Sequence, residues 1–203
     1  RMLAAMSHAL RTPLTRLRLR SERLPDPALR AKFVSDVDQM TAMLKATLDL
    51  FRDMNNDETY QSIDIMALLS ELQDEFRDMD ADVHVEGSVN APVNVKPGAL
   101  KRCLTNLLTN AIKYGKRAIV LVEDDGSLVI RVRDDGPGLP PEALEQVFEP
   151  FFRLESSRNP ATGGTGLGLA IARDIAQAHG GTLVLRNREP QGLEAILTLP
   201  RNA

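Results

Sequence analysis

The hydrophobic pattern of this chain changes character once, between two unequal parts. Leu3, Ser7, Leu10, Leu14, Leu17, Ser21 and Leu24 recur in alternating steps of four and three, and Phe33, Val37, Met40, Leu44, Thr47 and Phe51 do the same. That period, near 3.5 residues, predicts two amphipathic helices sharing a coiled-coil-like seam. Leu24-Pro25-Asp26-Pro27 interrupts the pattern and predicts a short turn between them. Two helices alone leave one side of such a seam uncovered. Pairing two hairpins into a four-helix bundle is the economical solution, so a homodimer is expected. The alternative is a monomer whose hairpin packs on its own second domain.

Met54-Asn55-Asn56-Asp57-Glu58-Thr59 is polar and unperiodic and reads as a linker, after which strands alternate with helices. Residues 61–65 predict a strand, and Asp64 a cap for a helix running to about Met79. Short strands are expected near Val83–Val85 and Val93–Val95. Pro97, at a favoured first-turn position, opens a helix from Gly98 to Tyr114. Residues 118–123 and 128–133 alternate around Asp124-Asp125-Gly126-Ser127, a hairpin signature. A helix from Gly166 to Ala178 ends at Gly180-Gly181, and residues 182–188 and 193–199 form a last hairpin. This order predicts an α helical hairpin over 1–55, followed over 60–203 by an α+β sandwich with helices layered on one sheet face.

At 203 residues the chain has ample material for a core. The net charge of -3 argues against a general polyanion binder, so no nucleic-acid partner is expected, and the arginines at 11, 16, 18, 20 and 23 read as a solvated helix face. A single cysteine, Cys103, sits among leucines and reads as buried core; it permits no internal disulfide, which fits a reducing compartment. No apolar run reaches the ~18 residues of a membrane span. The chain opens inside a helical pattern without a signal peptide, as expected of the soluble part of something longer.

Three segments of the second part carry chemistry. Asn106 and Asn110 lie four apart on one helix face, with Arg102 and Lys113 close by, while Leu100, Cys103, Leu104, Leu107 and Ala111 form the opposite face. An amide oxygen is a neutral hard ligand for Mg²⁺ and an ammonium meets phosphate; an exposed polar stripe is the plain alternative. Asp134-Asp135-Gly136-Pro137-Gly138-Leu139 follows a strand. Its glycines admit a flat ligand and its carboxylate suits an exocyclic amine such as that of adenine. The related Asp124-Asp125-Gly126 reads only as a turn. Gly163-Gly164-Thr165-Gly166-Leu167-Gly168-Leu169 opens a helix, whose free amides and dipole suit phosphates. Phe148-Glu149-Pro150-Phe151-Phe152-Arg153 and a polar run precede it, as in a nucleotide lid. His84 reads as a strand-surface residue, and His179 as a helix C-terminal residue favourable to the dipole.

The hairpin adds Ser7-His8-Ala9-Leu10-Arg11-Thr12-Pro13-Leu14. His8 falls one position past the seam, at its flank, and Pro13 removes a helix hydrogen bond and bends the backbone beside it. Taken in order, these segments resemble the H, N, G1, F and G2 boxes of bacterial two-component sensor histidine kinases, and the likeness covers essentially the whole chain. The H box is similar to that of osmosensor-type members. The resemblance implies a dimerisation and histidine-phosphotransfer hairpin (1–55) followed by a Bergerat-type catalytic ATP-binding domain (60–203). It implies a cytoplasmic domain of an inner-membrane sensor, tied to the membrane only through N-terminal sensor segments.

It further implies that His8 takes the γ-phosphoryl group of ATP and passes it to an aspartate of a response-regulator receiver domain. Asn110 would be the main Mg²⁺ ligand, Asn106 would assist near the phosphates and Asp134 would hold the adenine amine. Lys113 and Tyr114 would lie beside the nucleotide, and Gly136 and Gly138 would shape its base pocket. Arg153 and the loop formed by Gly164, Thr165, Gly166, Leu167, Gly168 and Leu169 would close over the triphosphate, with Arg158 a further phosphate contact. Thr12, one turn beyond His8, would orient water in the reverse, regulator-phosphatase reaction. One position departs from the family: an acidic residue normally follows the phosphoacceptor, and here it is Ala9. A weakened kinase step is expected. A nucleotide-binding scaffold or phosphatase-biased kinase is one alternative, and a chaperone- or repair-type ATPase of the same fold another.

Overall fold

The computed structural model describes residues 2–54, 58–154 and 165–201; the side chains of 2–11, 45–46 and 48–54 lie outside that description. The chain forms two compact units, one of Arg1–Asp57 with Phe151–Leu167, the other of Glu58–Pro150 with Gly168–Ala203.

The first unit contains the expected helical hairpin, α1 (Met2–Ser21) and α2 (Pro27–Met54), and α1 continues through Pro13. Their turn is built by Asp26, whose Oδ1 accepts the amides of Ala28 at 2.8 Å and Leu29 at 3.3 Å. Pro27 follows at the first helical position, where its missing N–H costs nothing. Leu14, Ser21 and Val37 are buried along the seam, and Arg18 meets Asp38 at 3.0 Å across it. Other seam positions face water: Leu17, Phe33 and Met40 are 45%, 47% and 51% exposed. Among the described residues, this side of the seam is left exposed.

The second unit contains β1 (Gln61–Ile63), α3 (Ile65–Arg77), β2 (Asp82–Gly87), β3 (Val93–Val95), α4 (Pro97–Gly115), β4 (Arg117–Asp124), β5 (Ser127–Asp134), α5 (Ala143–Gln146), α6 (Gly168–Ala178), β6 (Thr182–Asn187) and β7 (Leu193–Pro200). The main sheet has the order β2-β4-β5-β7-β6; β2 and β4 are parallel and the other pairs antiparallel. β1 and β3 form a separate two-stranded ribbon. Alternate strand residues, including Val120, Ile130, Leu185 and Leu197, enter one core with Leu72 of α3, Leu104 of α4 and Ala172 of α6. The expected two-layer sandwich is thus present.

Among the expected boundaries that move, two have a clear local cause. β1 stops at Ile63 because Asp64 turns the chain, its Oδ1 accepting the amides of Met66 at 2.8 Å and Ala67 at 3.1 Å. α6 begins at Gly168 rather than Gly166, since Gly166 has φ +72° and cannot join a right-handed helix. The Asp124 turn also does more than reverse the chain. Its carboxylate receives the Arg201 guanidinium and the Asn90 amide, which hold it below the usual carboxylate range.

α4 starts without a local cap: Lys96 precedes Pro97 and its side chain accepts nothing. Glu58 supplies the missing acceptor from the linker, taking the amides of Gly98 at 2.6 Å and Ala99 at 3.1 Å. A carboxylate there meets both orphan donors and the positive end of the helix dipole. Glu58→Ala is expected to cost about 1 kcal/mol, as lost caps do, and Glu58→Gln less. Denaturant titration of the three proteins checks this.

Candidate functional site

The site grows from the period-two pattern of β5. Leu128, Ile130 and Val132 point into the core, and the next residue of that row is Asp134, only 8% exposed. Alternation therefore drives a carboxylate toward the interior. Its Oδ1 accepts the Gly136 amide at 2.7 Å and the Leu193 amide at 3.3 Å. Burial pushes its pKa above the ordinary carboxylate value; these two amides and the Arg188 charge oppose the shift without cancelling it. Among the described residues both bonds end on Oδ1, which leaves Oδ2 available to an amine donor.

Glycines let the surrounding backbone close on this group. A Cβ on Gly115, the last residue of α4, would sit 2.6 Å from the Asp134 Cβ. One on Gly136 would lie 2.8 Å from Asp134 Oδ1 and 3.0 Å from the Tyr114 carbonyl oxygen. Gly136 is legible from its motif, whereas Gly115 reads as an ordinary helix end until the contact is seen. Gly138 has φ +74°, a left-handed backbone that favours glycine.

α4 carries the polar row above this floor. Leu104, Leu107, Leu108 and Ala111 are buried, whereas Asn106, Asn110 and Lys113 are half-buried. Asn110 and Asp134 line one cavity with Leu107, Ala111, Val132, Leu169, Leu185, Leu193 and Ala195. Its volume is about 20 Å³. That is room for a single water, so anything larger would have to displace lining side chains. Asn106 Nδ2 is buried and has no hydrogen-bond partner among the described residues. An orphaned buried donor costs about 1–3 kcal/mol, which a ligand oxygen would relieve. A Cβ on Gly168 would lie 3.6 Å from Asn106 Oδ1, so the start of α6 is close to the same amide. Lys113 Nζ lies 4.7 Å from the ring centre of Tyr114, which is 41% exposed.

The structure thus brings Asn110, Asp134 and Leu169 to one cavity, with Gly136 beside Asp134 and Asn106 beside Gly168. Arg153, Thr165, Gly166 and Leu167 fall in the first unit. There the Phe151 amide donates to the Gly166 carbonyl at 3.0 Å, and a Cβ on Gly166 would lie 2.7 Å from the Phe151 carbonyl carbon. Arg153 is half-buried and Thr165 Oγ1 accepts the Leu167 amide at 3.4 Å. Thr12 is exposed on α1. The His8 and Ala9 side chains, Arg158 and Gly164 lie outside the described residues.

His84 is exposed, 3.5 Å from Asp82, as a strand-surface residue should be. His179 directly follows α6, the helix-end position expected, but is buried. It is 2% exposed; its Nδ1 lies 2.8 Å from the Ile175 carbonyl oxygen, and Nε2 accepts the Lys96 amide at 3.0 Å. The ring therefore pins the end of α6 to the backbone before α4.

Asp134 has a testable consequence. Its folded pKa lies above the unfolded value near 3.8, so its contribution to stability is fully present below that pH and is lost as pH rises through the folded value. Asp134→Asn, which keeps the acceptor oxygen, is expected to be the more stable protein at neutral pH, with the advantage shrinking toward pH 4. Thermal melts of both proteins across that range check the sign.

With this geometry in hand, similarity to known proteins becomes informative. Residues 1–59 match the family described as His Kinase A (phospho-acceptor) domain, and residues 95–203 match histidine kinase-, DNA gyrase B-, and HSP90-like ATPase. The sensor histidine kinase GtrS of Pseudomonas aeruginosa is 46% identical over 98% of this chain and 41% of its own length. The sensor histidine kinase CpxA of Escherichia coli is 33% identical, over 98% of this chain and 46% of CpxA. Full-length ShkA, solved in complex with AMPPNP, superposes with a TM-score of 0.70 over 98% of this chain and 45% of ShkA, at 24% identity, a likeness of fold. The chain therefore spans less than half the length of these relatives. Its two matched segments, in their order, make it a member of the two-component sensor histidine kinase family and assign it to that family's catalytic core.

Proposed function

We propose that this chain is an ATP- and Mg²⁺-dependent protein-histidine kinase core that also dephosphorylates its response regulator. In this reading residues 1–55 dimerise and carry the phosphoacceptor His8, and residues 60–203 bind the nucleotide. The observation that carries it is the meeting of a buried carboxylate, Asp134, with the polar face of α4 in one cavity, beside an orphaned amide donor on Asn106. Asp134 receives the adenine amine, Asn110 offers an oxygen to the metal, and Asn106 turns its unpaired Nδ2 to a phosphate oxygen. Lys113 adds charge, and Tyr114, Gly136 and Gly138 shape the base end. Gly168 and Leu169, at the start of α6, meet the phosphates, where backbone amides and the α6 dipole favour negative charge. A Mg²⁺ held by Asn110 would supply charge neutralisation for the γ-phosphoryl transfer.

Transfer to His8 forms one N–P bond, breaks the bond to the bridging oxygen, releases ADP and requires a proton to leave the imidazole. An acidic neighbour would orient the ring through one nitrogen and assist that proton; Ala9 does neither. Support for a homodimer comes from the exposed Leu17, Phe33 and Met40, which leave one side of the seam to a second hairpin. The receiver domain of the regulator would dock beside His8. Thr12, exposed on α1, fits hydrolysis of the regulator's phospho-aspartate to aspartate and phosphate, and favours a second reading of a phosphatase-biased kinase or scaffold. Among the described residues no helix is long and apolar enough to cross a membrane, and we place this core on the cytoplasmic side of an inner-membrane sensor.

The test is labelling with γ-³²P ATP. Incorporation is expected to be weak, confined to His8 and abolished in His8→Gln. Ala9→Glu should raise the rate by roughly 10²-fold, the lower end of what positioned acid–base groups contribute. Equal labelling of the two would refute the assigned deficit. Added phospho-regulator should lose its phosphate faster with this chain than with Thr12→Ala.

A further inference from the structure

The turn between β6 and β7 makes a set of contacts that the proposed chemistry does not use. It wraps the backbone of the loop after β5 at both ends. At the far end Asn187 works as a two-way clip: its Oδ1 accepts the Leu139 amide at 2.8 Å while its Nδ2 donates to the Leu139 carbonyl at 2.7 Å. At the near end Arg188 Nη1 donates to the Asp134 carbonyl at 2.8 Å and meets Asp135 Oδ1 at 3.2 Å. Gln191 Nε2 adds a bond of 2.8 Å to the Asp135 carbonyl. The turn closes on itself through the Arg188 amide and the Gly192 carbonyl, 2.9 Å apart.

Two glycines are shaped by this embrace. Gly192 has φ +112°, and a Cβ there would collide with the Asp134 carbonyl oxygen. Gly138 has φ +74°, and a Cβ there would come within 2.7 Å of Asn187 Oδ1. The only side-chain type that offers a carbonyl acceptor and an amide donor at this short reach is asparagine. Leu193, the first residue of β7, then donates its amide to Asp134 Oδ1. The turn therefore grips the loop from Asp134 to Leu139 through its peptide groups and touches the carboxylate itself.

We infer that the β6–β7 turn is a positioning clamp for the base end of the nucleotide site, with Asn187 its principal positioning residue and Arg188 the second. The inference rests on the reading of Asp134 as the adenine acceptor. Asn187 bonds the loop at Leu139 and not Asp134 itself; it fixes where the loop's peptides, and through them Asp134, present themselves. The phosphate end, around Asn106 and Gly168, makes none of the clamp's hydrogen bonds. Loss of the clip should therefore weaken recognition of the base and spare that of the phosphates.

The experiment compares this chain with Asn187→Ala, Asn187→Gln and Asn187→Asp by calorimetric titration with Mg-ATP and Mg-GTP. Asn187→Ala is expected to bind ATP roughly tenfold more weakly through the loss of two hydrogen bonds, with GTP affinity little changed, so the ATP-to-GTP preference falls. Asn187→Asp, which keeps the acceptor but sets a carboxylate against the Leu139 carbonyl, should be no better. Asn187→Gln, which keeps both groups on a longer stem, should recover part of the preference. Without nucleotide, the Leu139 amide should exchange with solvent faster in Asn187→Ala, while the Ile130 amide in the sheet keeps its protection. An unchanged ATP-to-GTP preference in Asn187→Ala, with or without a lower melting temperature, would overturn the clamp. Failure of the unsubstituted chain to bind ATP would overturn the nucleotide reading and the clamp's purpose with it, but accelerated Leu139 exchange would still show the clip.

Discussion

The alternation of β5 forces a carboxylate to occupy the fourth place in a core-facing row, and much of the second unit is arranged around that cost. Leu128, Ile130 and Val132 fix the register of the strand between β4 and β7. A slip of one residue would expose all three along with Asp134, so the core itself holds the acid in place. Two amides satisfy one oxygen, and glycines at 115 and 136 let α4 and the loop close over it. Burying an ionised group without full pairing lowers stability. Such a group persists where binding needs it, a common exchange of stability for function.

The same logic connects distant parts of the second unit. α4 carries the polar row, and its orientation depends on a buried apolar face, a cap from Glu58 and the pin between Lys96 and His179. Tyr60 packs edge-on to His179 at 5.6 Å and donates to the Ala178 carbonyl at 3.1 Å. The end of the linker is thus bonded to the start of α4 and the end of α6, the two helices whose other residues approach Asn106. α6 is tied to α5 as well: Arg173 meets Glu145 at 3.0 Å and stacks 4.6 Å from the ring centre of Phe148.

What the sequence made legible was local or periodic. The seam of the hairpin, the break at Pro25–Pro27, the cap at Asp64 and the Asn106–Asn110 row each need only a few neighbouring residues. The hidden features are long-range. Glu58 caps a helix forty positions away, and no pattern within the linker marks it out from its polar neighbours. Asn187 and Arg188 look like ordinary hairpin residues until the loop they hold, about fifty positions earlier, is beside them. His179 reads only as a helix-end residue because position alone does not reveal that an amide donor faces its ring. The parallel pairing of β2 with β4 was likewise unreadable, since a crossover leaves no turn signature. Gly166 was placed in the helix because helical periodicity does not register a positive φ.

The central claim is that Asp134 and the polar face of α4 form the two ends of one nucleotide site. Titrating ¹⁵N-labelled protein with Mg-AMPPNP and following backbone amide shifts tests it most directly. Saturable shifts are expected at Gly136, Leu193, Asn106, Asn110 and Gly168, with the Arg18–Asp38 region of the hairpin unaffected. Absence of saturation, or shifts that avoid both Gly136 and Asn110, would contradict it.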